Sequence, residues 1–515
     1  MAALGAHAVA LGGGFIWLDH AHIQKGLALA SGAGGWGRLF SEGFAGTGFY
    51  RPLVSVSLSL DAALGGAPWL YHATTLAWHG AAAVMCAVAA EALGLTRRSA
   101  VLAGVLFAAH PATSLVAAAI AFRSESMIAA ALLALVTLHL KGRAGPAAAV
   151  LLAGALTKET ALLLGPLIIA ALELLDPARS TVDRRARARL LAAEAAAVVV
   201  AVALRMAFAP AWRAEFPPLT FGQAAGTRLA SLAKSALRVV LPIDGTLCDD
   251  FAIAGILGGR AAAGAVVAVV LIVLAWKCRG PLMLFALALL PSLNLVPVMR
   301  WWSPHYLYVP LAFAAMAAAQ ALALGRGGRL VLAAVVLVFA GGSARSAARF
   351  RADETLWRPE VAARPACREG HFYMGEIARQ GGRPQEAAEH YQRAVAVTEG
   401  VLSYVDRAAA LQNLGAVRLE LRQPAEAAAA FRAALAVAGG AERPRELTHN
   451  LAVAELAAGN PAEAARLLEP ETDRTDARPQ SILVRARALH RMGRQDEAAA
   501  LIRRLPPGAR PPAPR

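Results

Sequence analysis

Runs of apolar residues recur from the start of the chain to about residue 345, separated by short polar stretches. A helix needs ~20 residues to cross a bilayer, and several of these runs are shorter. They predict spans near 2–18, 71–93, 99–121, 125–140, 144–157, 159–175, 190–209, 260–276, 281–298, 305–323 and 329–345, about eleven in all. Basic clusters fall at Arg97/Arg98, Lys141/Arg143, Arg179 to Arg189, Lys277/Arg279 and Arg326/Arg329. These occupy alternate loops, which the positive-inside rule requires if the N-terminus is cytoplasmic. The loop 19–70 and everything after residue 345 then lie outside. The segment 226–242, "GTRLASLAKSALRVVLP", carries Arg228, Lys234 and Arg238 among apolar residues. It is expected to be an interfacial amphipathic helix rather than a span.

The pattern changes after a linker at 346–365. Gly375, Ala387, Tyr391 and Ala394 recur as Gly415, Ala427, Phe431 and Ala434, forty residues on. Ala452 and Ala464 recur as Ala486 and Ala498 at a 34-residue step. Small residues at helix crossings, a Gly-Asn/Arg-Pro turn and an aromatic knob at this spacing mark tetratricopeptide (TPR) repeats, about four over 366–505. Such repeats stack into a concave α-solenoid that binds proteins or peptides. The tail 506–515, "PPGARPPAPR" from Pro506, reads as disordered.

Composition agrees with a membrane half and a soluble half. The chain is 57% hydrophobic and 17% charged, with mean hydropathy +0.49, too apolar for a soluble globular protein. Net charge is +16, of which residues 1–350 carry +13 and residues 351–515 only +3. An excess of that kind in a membrane half reflects loops facing anionic lipid. No nucleic-acid-binding module accompanies it. The four cysteines, Cys86, Cys248, Cys278 and Cys367, show no CxxC spacing. A Cys248–Cys367 disulfide requires both to lie outside the membrane. There is no basic n-region, and the apolar run passes straight into polar sequence at Asp19, so residues 2–18 are expected to be a first membrane helix rather than a cleavable signal.

Ionisable residues inside membrane segments are expensive, and they default to functional hypotheses. Here they cluster at the expected outer ends of spans. Asp19 and His20 end the first, "FYRPL" supplies Arg51, and "YHATTLAWH" supplies His72 and His79. "FAAHPATSLVAAAIAFRSES" supplies His110, Arg123 and Glu125, "LTKETALL" supplies Lys158 and Glu159, and "VMRWWSPHYLYVP" supplies Arg300, His305, Tyr306 and Tyr308. One carboxylate among several cations has a natural chemistry: the acid deprotonates a hydroxyl while the cations hold a phosphate leaving group. Each residue also has a structural alternative as a helix cap, a turn ion pair, a core histidine or a snorkelling arginine. No carboxylate-rich cluster suggests a metal site.

The order of "YRPLVSVSLSLD", "YHATTLAWH", "FAAHP…FRSE", "LTKETALL" and "SPHYLYVP", followed by TPRs, resembles the transmembrane-and-TPR family. Its eukaryotic members are dolichyl-phosphate-mannose-dependent protein O-mannosyltransferases, and the bacterial relatives are many. The resemblance implies an all-α chain: a polytopic bundle of the GT-C glycosyltransferase type over 1–345, then a TPR solenoid. By resemblance Asp19 is the catalytic acid or base of the first outer loop. Lys158, Arg123, Arg300 and His305 are implied donor-phosphate contacts, with His20, Arg51, His72, His110, Glu159 and Tyr306 in support. The reaction implied is inverting transfer of a sugar from a polyprenyl-phosphate donor to a protein or glycan acceptor, with no certain cofactor. Related sequences differ in pairing two acids in the first loop, where this chain has His20 as the second. They also carry Asn at Thr75, an acid at Leu115 and Arg at His305.

The implied setting is a bacterial inner membrane, with the TPRs periplasmic and holding acceptor or partner. The main rival is a non-enzymatic TPR scaffold for envelope assembly. A transporter would show matching halves and mid-membrane charges, and neither is evident.

Overall fold

The computed structural model describes residues 2–24, 37–41, 43–44, 48–175, 183–209, 218–242, 246–248, 250–278, 280–295, 300–322, 326–438 and 442–509. Most of the tail expected to be disordered, from residue 510 on, lies outside them. The fold is all-α apart from one two-residue antiparallel pairing. It forms two compact units, Met1–Leu356 with Gly400–Leu402, and Trp357–Glu399 with Ser403–Arg515.

In the first unit, five helices among the described residues are long and apolar enough to cross a membrane. They are Pro68–Ala92, Ile120–Leu140, Arg184–Phe208, Gly259–Lys277 and Leu330–Arg351. The pair Arg97–Ala109 and Pro111–Ala118, bent by 59°, is long and apolar enough only when taken together, as a broken span or a re-entrant loop. The bend falls at His110–Pro111, where proline brings no backbone N–H and the His110 imidazole accepts from the Ala112 N–H at 3.2 Å. Ala144–Thr157 and Ala161–Leu175 are shorter, flanking an extended Lys158. The first expected span, 2–18, is not one: helix Ala2–His7 passes into a 3-10 turn ending at Gly12. Three glycines, 12–14, oppose helix continuation, and His7 is fully buried with Nε2 3.2 Å from the Ala108 carbonyl.

Two further elements position the site. Within the loop 19–70, "PLVSVSLSLDAA" alternates as a strand would, yet it forms helix Pro52–Ala63 with proline in its first turn. The amphipathic segment forms Phe221–Val240, opened by a Thr220/Gln223 capping box. It crosses Gly259–Cys278 where Gly264 lies against the Leu229 backbone, so close that a Cβ has no room. Residues 251–252 pair with 401–402, and Cys248 is disulfide-bonded.

The second unit contains four helix pairs, Arg368–Gln380 with Pro384–Val395, Arg407–Glu420 with Pro424–Val437, Glu442–Ala457 with Pro461–Thr472, and Pro479–Arg491 with Gln495–Arg503. A Cβ on Gly375 would meet the Tyr391 ring at 2.7 Å, and one on Gly415 the Phe431 ring at 2.8 Å. The repeat pattern is therefore a packing pattern, with glycine admitting an aromatic. Gly382, Arg422, Gly459 and Gly493 take left-handed conformations at the equivalent turns. Cys367 is disulfide-bonded as well.

Candidate functional site

The apolar lead-in ends at Trp17, which adopts a left-handed backbone, φ 53°, and residues 19–24 then form a helical turn. That reversal points Asp19 into the protein. Its Oδ1 accepts from the Ala121 N–H at 2.7 Å and its Oδ2 from the Ile16 N–H at 3.3 Å. Asp19 is fully buried, and burial pushes its carboxyl up to about 7. His20 turns outward beside Asp353. Asp353 Oδ1 accepts from the Trp17 N–H at 2.7 Å, and its Oδ2 lies 3.2 Å from His20 Nε2. The Asp353 carboxylate holds the His20 imidazole above its ordinary value.

Behind Trp17 the cations gather. The Arg300 guanidinium stands 5.3 Å from the Trp17 ring, Trp17 packs on Phe122 at 5.0 Å, and Phe122 packs on His305 at 4.8 Å. His305 Nε2 is 3.7 Å from Glu125, which is ion-paired to Lys158 Nζ, while His305 Nδ1 meets the Ser303 hydroxyl at 2.7 Å. Lys158, Arg300 and Arg51 are all within electrostatic range of His305. Arg51 makes a two-pronged pair with Glu159, at 3.0 and 2.5 Å, and lies over Phe49 at 4.2 Å. The Tyr306 hydroxyl donates to the Arg300 carbonyl at 3.0 Å and so fixes the turn that presents Arg300. Clustered side-chain cations behind an aromatic wall can neutralise a phosphate and the charge that grows on it as a leaving group.

Other candidates are occupied elsewhere. Arg123 is fully buried and pairs with Asp61 at 2.6 Å. It also donates to Thr75, Ser57 and the Tyr71 carbonyl at 3.1, 2.9 and 2.7 Å. Through these bonds its guanidinium ties Pro52–Ala63 to Pro68–Ala92. His72 reaches the Gly14 carbonyl at 3.1 Å. His110 bonds the Val239 carbonyl at 3.0 Å. Both are buried. No group of three or more His, Cys, Asp or Glu able to hold a metal ion occurs among the described residues.

Residues outside the sequence-derived set complete the picture. Asp353 is one, hidden in the expected linker, and Asp61 is another. Trp301 and Trp302 donate to Ser231 at 2.9 Å and Ser235 at 3.0 Å, and Lys234 sits 4.0 Å over Trp302. These bonds attach the amphipathic helix to the segment carrying Arg300. The spacing of Ser231 and Ser235 on one face is the sequence signal that points to them. In the second unit, Glu376 accepts from Tyr391 and Asn413, both at 2.5 Å. Gln412 donates to Glu446 at 2.8 Å, so polar groups link successive first helices.

Residues 370–439 match the tetratricopeptide repeat family, which mediates protein–protein interaction. The chain is also similar to the protein O-mannosyl-transferase Tmtc2 of Drosophila melanogaster, 37% identical over 113 residues. That match covers 20% of this chain and 12% of that protein's length. Two solved structures of MamA are similar at 18% identity with TM-scores of 0.26 and 0.25, covering 30% and 29% of this chain and 79% and 81% of theirs. The chain is thus a helical TPR protein with several apolar helices. It shares a limited stretch of similarity with a protein O-mannosyl-transferase.

Proposed function

We propose that this protein is a bacterial integral-membrane glycosyltransferase. It moves a sugar from a polyprenyl-phosphate donor to a protein or glycan acceptor on the periplasmic side of the inner membrane, and its TPRs hold the acceptor or a partner. The observation that carries this reading is the gathering of Lys158, Arg300, Arg51 and His305 behind Trp17, next to the Asp19–His20 turn. A cation group there suits the phosphate that leaves with its lipid, and the aromatic residues suit a lipid-borne substrate. The GT-C architecture and the inverting, single-displacement course follow from the family resemblance. The disulfide state of Cys248 and Cys367 fits an oxidising compartment for the segments that carry them.

The test is transfer of radiolabelled sugar from a panel of polyprenyl-phosphate donors to cell-envelope extract. Wild type should transfer, while Lys158→Met and Arg300→Met should each fall by a factor of about 10²–10³, the scale of losing one transition-state contact. No transfer by wild type across the panel overturns the reading. Orientation is checked by labelling single cysteines at exposed Arg466 and Arg143 with an impermeant thiol reagent. Only the first should react from outside.

One observation favours a scaffold instead. Lys158 and Arg51 are already paired with Glu125 and Glu159, so part of the cation cluster is internally neutralised. In that reading wild type transfers no sugar, and deleting the TPRs abolishes function.

A further inference from the structure

Asp19 occupies the expected acid position, but its geometry suits a different task. Both oxygens accept backbone N–H bonds and the side chain has no exposed surface. A carboxylate held in that way ties the Trp17 turn to the Ala119–Ala121 backbone, and an incoming hydroxyl has no route to it. The neighbouring His20 has the opposite arrangement. Its side chain is 51% exposed and stands beside a carboxylate from far along the chain. Nε2–H donates to Asp353 Oδ2 at 3.2 Å, which leaves Nδ1 as the ring's basic nitrogen. Asp353 is itself oriented, because its other oxygen accepts from the Trp17 N–H at 2.7 Å. The Trp17 ring is shared with Arg300 of the cation cluster.

We propose that His20 Nδ1, and not Asp19, accepts the acceptor hydroxyl's proton, with Asp353 as the positioning residue that fixes the imidazole. The proposal rests on the glycosyltransferase reading above. The hydroxyl oxygen forms its bond to the sugar C1 as the O–H bond breaks and the proton passes to His20 Nδ1. The C1–O bond to phosphate breaks, and its electron pair leaves on the polyprenyl phosphate, whose added charge faces Arg300 and Lys158. The proton on His20 returns to water, so the step needs no further reactant. The carboxylate behind the ring stabilises the imidazolium as it forms. Charged groups facing the ring are Asp353 and Asp19.

The experiment compares wild type, His20→Gln, Asp353→Asn and Asp19→Asn, each purified to equal amount and elution profile. It measures sugar transfer against pH and, separately, the His20 imidazole titration by NMR. His20→Gln should lose a factor of about 10²–10⁴ in rate, the usual worth of a general base. Asp353→Asn should lose less and move the acid limb of the rate profile to lower pH. The imidazole pKa should fall in parallel, a change that a merely structural role for Asp353 would not produce in the rate profile. Transfer by His20→Gln at the wild-type rate, with Asp19→Asn inactive, overturns the proposal and leaves the glycosyltransferase standing. An acid limb unmoved in Asp353→Asn overturns the dyad alone. No transfer by wild type removes both readings together, and the NMR titration then reports only whether the pair exists.

Discussion

The two units use charge in opposite ways, although both are stacks of helices. In the first, Arg123 and Asp61 form an ion pair with almost no exposed surface, and His139 is buried between Glu194 at 2.9 Å and Glu173 at 3.0 Å. In the second, Arg383–Glu386, Arg466–Glu463 and Arg494–Glu497 lie on the surface, each at one-turn spacing. A buried charge without its partner is a large penalty, whereas an exposed pair gives back little more than the order it imposes. The first unit is therefore tied together by its ion pairs. The second is held by small residues against aromatics, and its surface charges are mostly for solubility.

The largest expected effect breaks the buried tie. Asp61→Ala leaves the Arg123 guanidinium uncompensated and should cost about 3–5 kcal/mol, lowering the thermal midpoint and the yield of folded protein in detergent. The double variant Asp61→Leu/Arg123→Leu should recover most of that loss. A single variant as stable as wild type would mean that the pair is exposed in the membrane and the contrast is false.

One TPR pair sharpens the contrast because it is not a surface pair. Glu471 is buried, and Arg445 and Arg478 hold it through two-pronged and single bonds. The Arg445 guanidinium is the main cause that brings its carboxyl down to about 2 from an ordinary 4.5. A depressed carboxylate contributes stability above its unfolded value, and that contribution is lost as pH falls through the folded one. Unfolding of the second unit should therefore become easier between about pH 4.5 and 2 in wild type. In Glu471→Gln, which should cost ~1.5–3 kcal/mol at neutral pH, that part of the pH dependence should be absent. Circular dichroism melts across this range read both.

Legibility follows the same division. The repeats show in the sequence because each is local: Gly415 and Phe431 stand 16 positions apart and mark a contact inside one helix pair. The candidate site was half visible. Asp19, His20, Lys158, Arg300 and His305 interrupt apolar runs; Arg300 and His305 pack on the Trp17–Phe122 wall, Lys158 joins His305 through Glu125, and His20 joins the Trp17 backbone through Asp353. Asp353 was not visible, because it pairs with His20 across 333 positions from a stretch whose composition reads as linker. Nor was the tie between Arg123 and Asp61, because an arginine at a span's end reads equally as a ligand or a strut. Apolar runs mark helices well but lengths poorly, and the glycines at 12–14 ended a run that composition alone would carry across.

Packing in the repeats gives the next effect. A helical Gly→Ala change ordinarily stabilises by up to ~1 kcal/mol. At Gly415 the new Cβ would meet the Phe431 ring at 2.8 Å, and overpacking costs about 1–3 kcal/mol. Gly415→Ala should thus destabilise, and Phe431→Leu in the same chain should relieve part of the loss. A stabilised Gly415→Ala would mean that the ring shifts freely and that the knob is not what sets the repeat spacing.

The smallest effect tests the surface side of the comparison. Arg466 reaches Glu463 with bonds of 2.8 and 2.6 Å, as short as those around Glu471, but its side chain is 68% exposed. If bond length decided stability, Arg466→Ala would cost as much as Glu471→Gln. Solvent competes for both partners of an exposed pair, and the long side chain gives up rotamer freedom to make it, so the expected cost is far smaller than that of Glu471→Gln. High salt should erase even that. A loss as large as that of Glu471→Gln would place Arg466 against something other than Glu463, and the division between tying charges and surface charges would have to be redrawn at that repeat.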